Sequence, residues 1–91
     1  MAIVSEWLKM DDKHMRESLN AACARLQEGE TELVLDFSAV KRLDAEALLR
    51  LGEIAAIAES KKARIAIRGI NVDVYRVLKT ARMASRFTFL N

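Results

Sequence analysis

Two segments with strand periodicity lie on either side of one with helix periodicity, and this spacing limits the possible folds more than any other feature of the chain. In residues 32–37, ELVLDF, the side chains of Leu33, Leu35 and Phe37 share one face, while Val34 and Asp36 take the other. In residues 64–68, RIAIR, Ile65 and Ile67 stand opposite Arg64, Ala66 and Arg68, the pattern of a half-buried strand. Between them Leu48, Leu51, Ala55 and Ala58 recur at helical spacing, a stripe widened by Leu49 and Ile54. Strands joined through a helix cannot form a hairpin; they need a crossover and pair in parallel.

The same alternation extends in both directions. Residues 2–8 read as a short strand, and Asp11 or Asp12 as the N-cap of a helix carrying Met15, Leu19, Ala22, Cys23 and Leu26 inward, ending near Gly29. Asp44 is placed to cap the second helix, with Glu46 in its first turn favoured by the helix dipole, and fraying is expected at 60–62. Gly69 ends the 64–68 strand and Asn71 caps a third helix. Val74, Val77, Leu78 and Ala81 are expected to face inward there, with Arg76, Lys79 and Arg82 in water. Residues 86–90 close the pattern as a strand with Phe87 and Phe89 on one face. The predicted fold is a single α/β domain over 1–91: a mixed, largely parallel four-stranded sheet packed by three or more helices, with one sheet face covered better than the other.

Composition then removes whole classes of chemistry. Three scattered glycines cannot supply a phosphate-binding loop. One histidine, His14, and one cysteine, Cys23, make a zinc site a poor reading; His14 is expected at the surface and Cys23 as a small buried residue. Asp36 and Asp44 flank one loop and could in principle hold Mg²⁺, but a strand residue and a helix cap explain them more simply. No nucleophile–base pair can be assembled, so neither catalysis nor a cofactor is expected. No run approaches the ~20 apolar residues of a membrane span, and the opening MAIVSEW lacks the basic and apolar regions of a secretory leader. A lone thiol fits a reducing cytoplasm.

Charge is unevenly spread. Residues 1–60 hold seven Lys/Arg against twelve Asp/Glu, and residues 61–91 hold eight against one. Arg64, Arg68, Arg76, Arg82 and Arg86 could meet phosphates. The nearby aromatics Tyr75, Phe87 and Phe89 are too few for a stacking platform, so nucleic-acid binding through the basic C-terminal third is the weakest of the binding readings.

One stretch is more specific. Residues 33–51, LVLDFSAVKRLDAEALLRL, resemble the centre of STAS (sulfate transporter and anti-sigma factor antagonist) domains, where a strand of the form LDLSxVxxID runs into SSGL and a helix. Residues 64–83, RIAIRGINVDVYRVLKTARM, resemble the family's next strand, glycine turn and third helix, so the likeness covers roughly 7–91. The resemblance implies a sheet of four to five strands. The family usually begins with two strands where this chain has room for one, leaving an N-terminal edge for a homodimer or a docking partner.

The resemblance also implies a function. Anti-sigma factor antagonists of this family are phosphorylated by a kinase partner on a serine just after the aspartate. Aligning Asp44 with that aspartate puts Ala45 and Glu46 at the serine positions and Ala47 at the glycine, so no phosphoacceptor is present there. Glu46 could imitate a phosphoserine in part, although a first-turn glutamate needs no such role. The implied protein is a bacterial, cytoplasmic, non-catalytic interaction module for signalling and transcription regulation. Its partner surface would comprise Ser38, Lys41, Arg42, Asp44, Ala45, Glu46, Ala47 and Leu48. An anti-sigma factor kinase is the first implied partner. The alternative is a soluble STAS subunit of a phospholipid-transport ABC system, binding its ATPase, to which the turn GINVDVY at 69–75 is similar.

Overall fold

A computed structural model describes residues 7–90. The chain runs β1 (Trp7–Asp11), α1 (Met15–Gln27), β2 (Glu32–Ala39), α2 (Ala45–Lys61), β3 (Arg64–Arg68), α3 (Val72–Thr80), a 3₁₀ turn (Ala84–Arg86) and β4 (Thr88–Leu90). The strands pair in sequence order, β1-β2-β3-β4, and every pairing is parallel. The alternation of strand and helix therefore produces the expected architecture, with no antiparallel strand among the described residues.

Right-handed crossovers between adjacent strands in this order place all the helices on one face of the sheet. The core confirms it. Leu33, Leu35 and Phe37 of β2 and Ile65 and Ile67 of β3 form one cluster with Leu19 and Leu26 of α1, Leu51, Ile54 and Ala55 of α2, and Val74 and Leu78 of α3. Val34, Ala66 and Asp36 are also buried but lie on the other face. There Trp7 pairs in register with Val34, and Val34 with Ala66. The Arg68 guanidinium lies over the Trp7 ring, 4.2 Å from its centroid.

Several boundaries differ from the sequence reading. The first strand occupies Trp7–Asp11 rather than 2–8, of which 2–6 lie outside the described residues. Extension of β1 to Asp11 moves the start of α1 to Met15, so its N-cap is His14 and neither Asp11 nor Asp12 caps it. The Asp11 carboxylate instead accepts the His14 N–H at 2.7 Å, closing the turn before the helix. Cys23 is half-buried. Leu49, counted within the apolar stripe of α2, is 67% exposed and points away from the core. Ala81 lies beyond the end of α3 and is exposed. The last strand begins at Thr88 because 84–86 wind into a 3₁₀ turn; Phe87 is buried and Phe89 half-buried.

Candidate functional site

The turn from β2 into α2 is built by capping. The Asp44 carboxylate accepts the Ala47 N–H at 2.8 Å, and its carbonyl accepts the Leu48 N–H at 3.0 Å. This cap satisfies a helix-terminal donor that has no partner within the helix. Upstream, the Val40 N–H donates to the Phe37 carbonyl at 2.9 Å as the strand ends, and buried Val40 anchors the turn to the core.

Two distant segments hold the turn from outside. Asn71, whose Oδ1 caps α3 by accepting the Val74 N–H at 2.7 Å, turns its amide nitrogen to the Val40 carbonyl at 3.0 Å. The Lys41 N–H points to the Asp12 carboxylate, with both oxygens at 3.2–3.3 Å. Gly69 completes the packing: a Cβ there would stand 2.9 Å from Ser38 Cβ, and its φ of +71° lies in the left-handed region. Glycine thus lets the β3–α3 turn lie directly against the end of β2.

Asp36 sits just behind this turn and is 3% exposed. Burial pushes its carboxyl pKa up, but the Ser38 backbone N–H at 2.9 Å, the Ser38 hydroxyl and the charges of Arg68 and Lys9 outweigh it and hold the group below its ordinary value. Arg68 donates to the other carboxylate oxygen at 3.3 Å.

On the α1 side, Arg16 is ion-paired with Glu46. A shallow cavity of about 380 Å³ lies between the start of α1 and the start of α2, lined by Asp12, Met15, Lys41, Arg42, Asp44 and Ala47. Of the residues assigned to a partner surface, Ser38, Lys41, Arg42, Asp44, Ala45 and Glu46 are exposed at this end of the sheet, and Leu48 is half-buried. Ala47 is 6% exposed, so it offers the surface only its position in the cap and one wall of the cavity. The sequence reading missed Asp12, Arg16 and Asn71. Each acts across about thirty residues, and no local pattern announces such a contact.

The acids of the site are capped, paired or tied to backbone N–H groups, and no cluster of His, Cys, Asp and Glu among the described residues could hold a metal ion. Among the described residues, no helix is long and apolar enough to cross a membrane.

A family model described as "Mlab, STAS domain" matches residues 3–90. No curated protein matches the chain in sequence. Among solved structures, the chain is similar in fold to a Thermotoga maritima protein provisionally assigned as an anti-sigma factor antagonist. The TM-score is 0.76 at 19% identity, over 92% of this chain and 74% of the other.

Proposed function

The chain belongs to the STAS domain family, and from that premise we propose that it is a non-catalytic module that docks on another protein through the β2–α2 turn, outside the control of phosphorylation at the family's usual position. The observation carrying this reading is the junction itself. Asp44 caps the helix and fixes the turn, and the next two residues, Ala45 and Glu46, are exposed and lack a hydroxyl. The Arg16 guanidinium neutralises Glu46, so the turn presents no bare phosphate-like charge. We therefore read the protein as standing permanently in the unmodified, binding-competent form. Its partner would be of the anti-sigma factor kinase type.

The Asn71 amide favours a second reading, docking on the ATPase of a phospholipid-transport system. It ties the GINVDVY turn to the carbonyls of Val40 and Lys41, so that turn and the β2–α2 turn form one continuous surface. Co-purification of the tagged full chain from its native host, with mass spectrometry of what it carries, tests both. Recovery of a kinase or sigma factor supports the first reading, and recovery of an ATPase with its permease the second. If Asp44→Arg leaves the captured protein in place, the β2–α2 turn is not the docking surface.

A further inference from the structure

A second cavity, of about 220 Å³, adjoins the one at the helix starts and shares Asp12, Met15, Asp44 and Ala47 with it. Together they make one hollow around half-buried Met15. Its charge reverses that of its surroundings. Residues 1–60 carry seven Lys/Arg against twelve Asp/Glu, yet five of those seven cations line the hollow (Lys13, Arg16, Lys41, Arg42 and Arg50) and only three of the twelve acids do (Asp12, Asp44 and Glu46).

The three acids are already engaged. The Asp12 carboxylate accepts the Lys41 N–H at 3.2–3.3 Å, Asp44 accepts the Ala47 N–H at 2.8 Å, and Glu46 is paired with Arg16. Asp11, just outside, is likewise turned on His14. The cations are not engaged. The side chains of Lys13, Lys41 and Arg42 are exposed and have no carboxylate partner among the described residues. Arg50 meets Glu53 only at 3.7 Å. One solvated lysine signifies little. Here the cations of an acidic half-chain are gathered on one surface, and the acids among them are spent on the fold.

We propose that the partner meets this hollow with an acidic protein segment, its carboxylates falling on Lys13, Lys41 and Arg42 and an apolar side chain lying on Met15 between them. This occupant presupposes that docking takes place at the β2–α2 turn. A nucleic acid fits less well. Its closely spaced phosphates would also be brought against Asp12, Asp44 and Glu46, and no aromatic residue lines either cavity to stack a base. A protein can place its carboxylates singly, beside the cations and clear of the acids.

Amide NMR of the full chain at low ionic strength, titrated with a hexaglutamate peptide, tests the charge preference without the partner in hand. Shifts are expected at 12–16 and 40–44, with a dissociation constant in about the millimolar range. Lys41→Glu/Arg42→Glu should weaken binding at least about tenfold, and hexalysine should leave those amides unmoved. Both substituted side chains are exposed, so circular dichroism should report an unchanged fold. The milder Lys41→Gln/Arg42→Gln should weaken binding in the same direction. Shifts confined to 61–64 and 79–86, or tighter binding of a hexathymidylate at the same amides, overturn the proposal.

Co-purification separates it from the docking reading. Ala45→Trp obstructs the exposed turn without changing its charge, whereas Asp44→Arg removes the cap and adds a cation at once. A captured protein that Ala45→Trp releases and Lys41→Glu/Arg42→Glu retains overturns the acidic partner and leaves the docking surface standing. One that neither change releases overturns both.

Discussion

Arg16, on the first turn of α1, reaches across to pair with Glu46, on the first turn of α2. The contact ties the two helix starts together at the mouth of the candidate docking site. It also makes Glu46, which the proposed function sets with Ala45 at the family's serine positions, one half of an ion pair.

Both partners are more than half exposed, so the pair should contribute little to stability. Arg16→Ala and Glu46→Gln are each expected to change the urea midpoint by the equivalent of about 0–1 kcal/mol. Their effect should fall on recognition instead. Freed of Arg16, Glu46 presents a full charge, and the partner recovered by co-purification should bind the Arg16→Ala protein with altered affinity in a titration. An unchanged affinity would remove this pair from the docking surface.

Glu46→Ser restores a hydroxyl at a capped helix start. The variant, and not the wild type, is expected to gain the mass of one phosphate when incubated with ATP and a partner kinase, as intact-protein mass spectrometry would show. Phosphorylation of the wild type at Ser38, the hydroxyl in the same assigned partner surface, would contradict the proposed function.

Asp44→Ala removes the side chain that caps α2, and a loss of about 1 kcal/mol is expected in denaturant unfolding. Asp44→Asn keeps an acceptor in place and should cost only a few tenths.

Gly69→Ala should cost about 2–3 kcal/mol. The left-handed backbone strains any side chain, and the new methyl would press on Ser38. Gly29→Ala is the control: Gly29 has a φ of +105° but nothing within 4 Å of the added carbon, so only the backbone strain remains, about 1 kcal/mol. Equal losses at the two positions would show that the close approach to Ser38 is not needed.

Asp36 sets a dependence on acid. Its carboxyl pKa is lowered in the folded protein, so its stabilisation is present above the ordinary aspartate range and is lost as pH falls through the lowered value. Thermal unfolding should therefore show stability falling with acid below about pH 4. In Asp36→Asn the fall should be shallower, because the amide oxygen still accepts the Ser38 N–H but carries no proton-linked charge. A wild type and variant with parallel pH profiles would refute the assignment.

Most of the scaffold was legible because the signals that build it are local. The period of two in 32–37 and 64–68, the caps Asp44 and Asn71, and the glycine turns each depend on a few neighbouring residues, and the strands, helices and parallel order follow from them. The errors came where neighbours compete or where packing decides. Asp11 and Asp12 both suit a cap, but pairing with β2 carries β1 through Asp11 and leaves His14 at the helix start. Leu49 fits the helical period at the margin of the stripe, and only the arrival of the 81–86 segment on one side of α2 decides that it stays outside. The composition of the docking site was readable only on the β2–α2 side. Arg16, Asp12 and Asn71 reach it through the fold, and a solvated arginine or aspartate looks alike in sequence whether or not a partner waits thirty positions away.

The stack of Arg68 on Trp7 has a practical corollary. Trp7 is the sole tryptophan of the chain and half exposed, and it marks the sheet face opposite the helices. Its emission is thus a built-in optical gauge for that surface. A protein bound beside Trp7 would shift it without any label, whereas one bound at the opposite layer, along α2, would leave it dark to the event.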